Sequence, residues 1–116
     1  MKKNKQKTTP QKRKEVRAGE IWVINDIRTR GHKSRITRSK DEVVEHIPIT
    51  HSPETRRIKN IPLKSNPNPK DDKQAYILPK VQVSEKKYLG RKHPEYVIKN
   101  PIDKSVVRHI TKKKRK

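Results

Sequence analysis

The sequence contains no cysteine and no phenylalanine, and it has only three glycines, one tryptophan and three tyrosines. Without cysteine there can be no disulfide, no thiol nucleophile and no cysteine-ligated zinc site. With so few glycines, the chain has no phosphate-binding loop of the Walker type. No apolar run reaches the length of a transmembrane helix, and the basic N-terminus lacks the apolar stretch of a secretory signal. We therefore expect a cytoplasmic protein with no membrane partner.

Acidic residues are also scarce, because the chain has 12 of them and 33 lysines and arginines, which gives a formal net charge of +21. Residues 1–19 hold eight basic residues and one acidic one, and residues 108–116 hold six basic residues and no acidic one. Blocks of like charge stay solvated and often bind polyanions, and each phosphate they neutralise releases counterions. The charge therefore predicts a nucleic-acid partner, and we expect RNA.

The apolar residues make up 27 % of the chain, and most of them are valine (nine) or isoleucine (twelve). These β-branched side chains favour strands. A chain of 116 residues has room for one domain. We predict a domain over residues 18–110 between two flexible basic tails, residues 1–17 and 111–116.

Short apolar runs separated by turn signals predict five strands. The sequence favours one helical turn over residues 84–89 and a short C-terminal helix that begins after Pro101. Ile102, Val106 and Ile110 would share one face of this helix, although their β-branched side chains leave a strand as the alternative. The predicted fold class is mainly β, a small barrel or a bent five-stranded antiparallel sheet. The predicted strands are 21–24, 33–38, 43–49, 57–63 and 74–83.

Three stretches, RAGEIWV at 17–23, VEHIPIT at 44–50 and DKQAYIL at 72–78, occur in a familiar order and spacing. In this respect the chain resembles a diverged member of the MazF/PemK-like family, the SH3-like barrel endoribonucleases of bacterial toxin–antitoxin pairs. It departs from the family at 34–39, where SRITRS replaces an Arg-Pro entering an apolar strand, and in its shorter C-terminal helix. The resemblance implies RNA cleavage without a metal or other cofactor, an antitoxin protein partner and a homodimer.

By the resemblance, a loop arginine and the hydroxyl that closes the central strand carry out cleavage, and Arg35 and Thr50 occupy those positions. Arg30 or Arg38 would replace Arg35 in a different register. A guanidinium can hold two phosphate oxygens while the RNA 2′-hydroxyl attacks phosphorus. The alternatives are that Arg35 is an ordinary phosphate-contacting cation and that Thr50 forms a turn.

Histidines provide a second set of candidates. His51 follows Thr50 directly and is suited to general acid or base chemistry. His46 would point to the opposite side of the same strand, so the two do not form a metal site. The five histidines are too scattered for a zinc site, and we expect no metal and no cofactor.

Two basic segments are predicted to bind nucleic acid. The first is arginine-rich and most simply grips a phosphate backbone, and the second interleaves a tyrosine with cations, as suits single strands. The alternative for the tyrosines is that they close the core with their hydroxyls outward, and Trp22 is expected in the core. The predicted binding residues are Arg28, Arg30, His32, Lys33 and Arg38 in the first segment, and Lys86, Lys87, Tyr88, Arg91 and Lys92 in the second.

Three functions fit these features. The first is a toxin-type endoribonuclease, favoured by the ordered motifs and Thr50. The second is a non-catalytic RNA or DNA binder of a mobile element or phage, and the third is a structural protein of a ribonucleoprotein. The basic tails favour the second and third. Nucleic-acid binding is common to all three, and it is the function that the sequence predicts.

Overall fold

The computed structural model describes residues 15–26 and 32–114, and it confirms a mainly β fold with one C-terminal helix. The predicted loop residues Arg28 and Arg30, and most of the predicted N-terminal tail, lie outside the described residues. The elements are β1 (Ile21–Ile24), β2 (Lys33–Ser39), β3 (Val43–Thr50), β4 (Glu54–Thr55), β5 (Ile58–Lys59), β6 (Ile61–Pro62), β7 (Tyr76–Ile77), β8 (Gln82–Glu85), a 3₁₀ turn (Lys86–Tyr88), β9 (Leu89–Lys92) and α1 (Pro101–Lys114).

Seven of these strands form one antiparallel sheet in the order β6-β7-β3-β2-β1-β9, and β8 also pairs with β3. β3 is the longest strand, and it pairs with β2 along one edge and with both β7 and β8 along the other. The remaining strands, β4 and β5, form a separate hairpin. The sheet thus has two more strands than the five expected, because β9 was not foreseen and the predicted strand 74–83 is split into β7 and β8. The predicted strand 57–63 is also split, but its first part, β5, belongs to the separate hairpin.

The connection from β8 to β9 requires the sheet to curl. In a flat sheet these strands would be four spacings apart, about 19 Å. The chain from Glu85 to Leu89 can span only about 14 Å. The 3₁₀ turn between them is bonded next to both β3 and β1, since Lys86 N–H donates to the Glu42 carbonyl just before β3 (2.8 Å) and Asn25 N–H, just after β1, donates to the Tyr88 carbonyl (2.8 Å). The result is a small barrel-like sheet.

The sheet has an apolar cluster on each of its faces, because successive side chains of a strand point to opposite sides. One cluster is enclosed by the curl of the sheet and includes Trp22, as predicted. The other lies between the sheet and α1. The first comprises Val16, Trp22, Ile24, Ile36, Val44 and Leu89, and the second comprises Ile47, Leu63, Ala75, Ile77, Ile98, Val107 and Ile110.

Helix α1 docks through a different stripe from the one predicted. Val107 and Ile110 are buried, whereas Ile102 is 56 % exposed. The reason is Asp103, whose carboxylate accepts hydrogen bonds from the backbone N–H groups of Lys64 (2.8 Å) and Ser65 (3.1 Å). With Asp103 turned inward, Ile102 has to face outward. The docked stripe therefore runs through residues 103, 107 and 110.

The boundaries of the folded region also differ from those expected. Val16 is buried in the curled side of the sheet, so the fold includes the end of the predicted N-terminal tail. At the other end α1 continues to Lys114, and part of the predicted C-terminal tail is helical. None of the described helices is long and apolar enough to cross a membrane.

Candidate nucleic-acid interface

A basic groove of about 570 Å³ lies between β2 and α1. Four cations line it: Arg35 from β2, and Lys104, Arg108 and Lys112 from α1. Its lining, taken over the described residues, contains no aspartate and no glutamate. A groove with charge of one sign concentrates the field and attracts anions. We call this feature the basic groove.

The helix geometry explains why the three helical cations lie together. Lys104, Arg108 and Lys112 are spaced at i, i+4 and i+8, which places them on one face of α1. All three are exposed, and this face borders the buried stripe that holds α1 on the sheet. Docking of α1 therefore fixes a row of cations along one wall of the groove.

Arg35 forms the opposite wall. It pairs with Ile21 and with Ile47 in the neighbouring strands, so its backbone is held in the middle of the sheet. Its side chain is partly buried, and this burial lowers the pKa of the guanidinium from its ordinary value. A cation that has lost part of its hydration gains more from a bound anion than a fully solvated one does.

The groove also contains a hydroxyl without a partner. Thr37 is only 7 % exposed, and its Oγ1 has no hydrogen-bond partner among the described residues. Buried polar atoms are nearly always satisfied, so such an atom requires an explanation. The oxygen itself has almost no accessible surface, so a ligand in the groove would reach it only after the Thr37 side chain rotates.

A second cleft, of about 490 Å³, lies where β3 ends. We call it the polar cleft. Ile21, Ile49 and Ala75 supply apolar lining, and Asn66 and Asn68 come from the loop after β6. Its titratable and charged lining groups are His32, Lys33, His51, Asp71 and Tyr96. A volume of this size with apolar walls and a few polar groups is typical of a small-ligand site.

His51 and Asp71 form a close pair in this cleft, with Nε2 and Oδ2 2.8 Å apart. The backbone N–H of Lys73, and then the His51 ring, lower the pKa of Asp71 from its ordinary value. An ionised Asp71 accepts the Nε2 proton, which leaves the lone pair of His51 on Nδ1. Thr50 is the residue before His51, and its Oγ1 accepts a hydrogen bond from Ser52 N–H (3.1 Å).

Two stacked aromatic rings, His93 and Tyr96, lie beside the polar cleft. The rings of His93 and Tyr96 are stacked, with centroids 4.5 Å apart and planes 7° from parallel. Lys33 Nζ lies 5.6 Å from the centroid of Tyr96. Burial, followed by the charges of Lys33 and Arg91, lowers the pKa of His93 and favours its neutral form. Tyr96 lines the cleft, whereas the His93 side chain is only 11 % exposed, so the stack fixes the position of the Tyr96 ring at the cleft.

The basic groove and the polar cleft are neighbours. Lys33 lines the cleft and Arg35 lines the groove, and the two are separated by one residue on the same face of β2. On the opposite side, Tyr96 lines the cleft and the next residue, Val97, lines the groove. The two cavities therefore lie next to each other on the protein surface.

The β4–β5 hairpin extends from the rim of the polar cleft. Asn60 Nδ2 donates to the Ser52 carbonyl (3.0 Å) and so ties the hairpin to a cleft residue. The two residues of its turn, Arg56 and Arg57, have φ angles of 48° and 70°. Such turns prefer Asn-Gly, because other side chains are strained at positive φ. Strained residues are concentrated at functional sites.

The structure brings four of the predicted site residues together in the polar cleft: His32, Lys33, Thr50 and His51. It places Arg35 in the basic groove instead, so Arg35 and Thr50 do not line the same cavity. Arg38 is exposed on β2 and lines neither.

The second predicted binding segment lies along the 3₁₀ turn and β9, at the far edge of the sheet. Part of its charge is already paired: Lys87 contacts Glu85 (3.5 Å), and Lys92 contacts Glu20 (2.8 Å). Burial acts to raise the pKa of Glu20, but hydrogen bonds led by that from Lys92 outweigh it and lower the pKa. The predicted residues Lys86, Lys87, Tyr88, Arg91 and Lys92 line neither the groove nor the cleft.

Several residues of the groove, the cleft and the hairpin are not predictable from the sequence pattern alone. The predicted binding residues do not include Lys104, Arg108 and Lys112, which contribute only to the net charge in the sequence analysis. The helical spacing that aligns the apolar stripe also aligns these three cations. Asp71 lies 20 residues from His51, and no local pattern links them. The Arg56-Arg57 turn carries no turn-forming residue, so its conformation has no signal in the sequence.

His46, also considered as a candidate, is completely buried and takes no part in either cavity. Its ring nitrogens contact Ser34 Oγ (Nδ1, 2.9 Å) and Ser84 Oγ (Nε2, 2.9 Å). Within the described part of the chain, no group of three or more histidine, aspartate or glutamate side chains is arranged to hold a metal ion.

No protein-family model, no curated protein and no solved structure matches this chain. What the groove and the cleft bind therefore has to follow from the chemistry of their side chains. The resemblance to the MazF/PemK-like family stays a prediction.

Proposed function

We propose that this protein binds single-stranded RNA in the cytoplasm and holds the phosphate backbone in the basic groove. The observation that carries the proposal is the row of Lys104, Arg108 and Lys112 facing Arg35 across a groove with no carboxylate in its described lining. Each phosphate placed between these walls would release counterions and gain charge-assisted hydrogen bonds.

Single-stranded RNA is favoured over a duplex by the features next to the groove. The polar cleft is large enough for a nucleotide, and Tyr96 in its lining offers an aromatic ring for an unpaired base. In a duplex the bases are stacked on each other and cannot enter such a cleft. The Arg56-Arg57 turn would contact the backbone beyond the cleft.

The resemblance to the MazF/PemK-like family supports RNA over DNA. It also implies an antitoxin partner and a homodimer, and we propose both. RNA binding through the basic groove depends on neither of them.

The proposal is tested by measuring how the affinity for a short mixed-sequence RNA depends on salt. The variant Arg108→Gln/Lys112→Gln removes two groove cations. We expect its slope of log affinity against log salt to be shallower by about 1.4, because each phosphate contact on a single strand contributes about 0.7.

The matched control is Lys40→Gln/Lys80→Gln, which removes the same charge from exposed positions outside the groove. This control should keep nearly the full slope. Equal slopes for the two double variants would mean that binding follows net charge alone, and the groove would then have no special role.

A further inference from the structure

The outer face of the curled sheet, opposite the enclosed apolar cluster, carries cations beside the basic groove. Lys33 and Arg35 lie on this face of β2, two residues and therefore about 7 Å apart along the strand. In the neighbouring strand β1, Lys33 pairs with Val23 and Arg35 pairs with Ile21. Arg35 lines the groove, so Lys33 is the next cation on this face of β2.

A β-bulge places Arg91 next to this row of cations. The register of the β1–β9 pair shifts at Val23, so Gly90 and Arg91 of β9 both lie opposite that single residue. A bulge of this kind bends the strand and re-aims a side chain. Because Val23 also pairs with Lys33, the backbones of Lys33 and Arg91 flank it at two strand spacings from each other, about 10 Å.

The surroundings of His93 show that the two cationic side chains converge. After burial, the charges of Lys33 and then Arg91 lower the pKa of His93. The backbone N–H of His93 donates to the Ile21 carbonyl (2.9 Å), so the chain after β9 continues along β1. Lys33 Nζ lies 5.6 Å from the centroid of Tyr96, the ring stacked on His93. Both cations therefore border the same pair of rings.

The charges of Lys33 and Arg91 are not neutralised by a carboxylate. Arg91 is exposed and Lys33 is half-buried, and neither forms an ion pair within the part of the chain that the structure describes. The next cation of β9, Lys92, is instead paired with Glu20 (2.8 Å). Glu95 lies 3.9 Å from His93 Nδ1 and pairs with neither cation. An anion that fits between Lys33 and Arg91 would gain charge-assisted hydrogen bonds from both.

We propose that Lys33 and Arg91 together bind one phosphate of the RNA strand that occupies the basic groove, and we call this pair the outer phosphate site. This inference rests on the proposed function, because the groove holds the strand whose neighbouring phosphate reaches the pair. The strand leaves the groove at Arg35 and crosses β2 and β1 towards β9. Of the second predicted binding segment, Arg91 alone then contacts RNA.

The test compares how affinity depends on salt for two single-stranded RNAs, one of about four nucleotides and one of about twelve. The shorter RNA occupies the groove alone, whereas the longer one also reaches the outer phosphate site. Arg91→Gln should make the slope of log affinity against log salt shallower by about 0.7 for the longer RNA, because one phosphate contact is lost. The slope for the shorter RNA should not change. Arg91→Lys keeps the charge and should keep both slopes.

The matched control is Lys80→Gln, which removes the same charge from an exposed position outside the groove and the cleft. It should keep the wild-type slope with both RNAs. Thermal unfolding of Arg91→Gln should match that of the wild type, because surface substitutions of this kind change stability little. A loss of binding by Arg91→Gln is then not a loss of folded protein.

NMR titration of the His93 ring reports on the same site. Arg91→Gln should raise the pKa of His93 in the free protein, because one of the two positive charges that lower it is removed. In the wild type, the longer RNA should also raise the pKa of His93, since a phosphate between Lys33 and Arg91 offsets both charges. This rise should be smaller in Arg91→Gln.

The outcomes separate this inference from the proposed function. An Arg91→Gln slope equal to that of Lys80→Gln overturns the outer phosphate site, and so does a His93 pKa that the longer RNA leaves unmoved. The proposed function still stands in that case if Arg108→Gln/Lys112→Gln flattens the slope. A slope that none of these variants alters overturns the proposed function as well.

Discussion

At the scale of single residues, the buried His46 shows how this sequence specifies a core with so few large apolar side chains. Ser84 Oγ donates to the Asp26 carboxylate, so Ser84 must accept from His46 Nε2, and His46 Nδ1 then accepts from Ser34. A neutral ring with its proton on Nε2 satisfies every bond of this chain. The four residues tie β2, β3 and β8 to the end of β1.

Replacing His46 with alanine should destabilise the fold by about 3 kcal/mol, because it leaves a cavity and two buried serine hydroxyls without their partner. The free energy of unfolding in urea measures this loss. His109→Ala, at an exposed position, should change it by less than about 0.5 kcal/mol. A loss below about 1 kcal/mol for His46→Ala would mean that the serines find other partners and that the network does not support the sheet.

The site residues differ in how far they could be predicted. Thr50 and His51 follow a run of apolar and β-branched residues, and the end of such a strand is a usual place for functional side chains. Asp71 could not be linked to His51, because the pairing depends on the loop after β6 folding back over the end of β3. Arg35 was predicted as a site residue, but its cavity depends on where α1 docks.

At the scale of elements, the β4–β5 hairpin has two charged residues at turn positions where they are strained. Its turn residues Arg56 and Arg57 both lie at positive φ, where a side chain with a Cβ costs about 1 kcal/mol or more. Asn60 anchors the base of the hairpin through bonds to the Ser52 carbonyl (3.0 Å) and Thr55 Oγ1 (2.8 Å). The strain is therefore held in place by the fold.

The double variant Arg56→Asn/Arg57→Gly should raise the free energy of unfolding by about 1–2 kcal/mol, because Asn-Gly suits this turn. It should also weaken RNA binding, since two cations beside the polar cleft are lost. The control Arg56→Lys/Arg57→Lys keeps both the charge and the strain, and it should resemble the wild type in stability and affinity. A double variant that is more stable and binds RNA as well as the wild type would show that the hairpin does not contact RNA.

The elements themselves were predictable where residue pattern decides them. β1 and β3 are rich in valine and isoleucine and have nearly the expected bounds. β9 was missed, because Leu89–Lys92 contains a glycine and two cations and has no apolar alternation. It forms a strand because the short connection from β8 forces it against β1. Pro79 divides the predicted strand 74–83 into β7 and β8.

At the scale of the whole molecule, the net charge of +21 predicts a polyanion but not where it binds. The fold distributes the cations unequally. Those near β9 are partly paired with Glu20 and Glu85, whereas those of the basic groove face each other across a space with no carboxylate in its described lining. The groove and the polar cleft are neighbours, and the hairpin is tied to the cleft through Ser52. We therefore propose that RNA binds on this side of the molecule.

The most direct test of this assignment is protection of lysines from acetylation by single-stranded RNA, read at each lysine by mass spectrometry. The account predicts that RNA protects Lys104 and Lys112 in the basic groove and Lys33 in the polar cleft, while Lys40 and Lys80 react as they do in the free protein. Uniform protection of all five lysines, or protection of Lys40 and Lys80 alone, would contradict it.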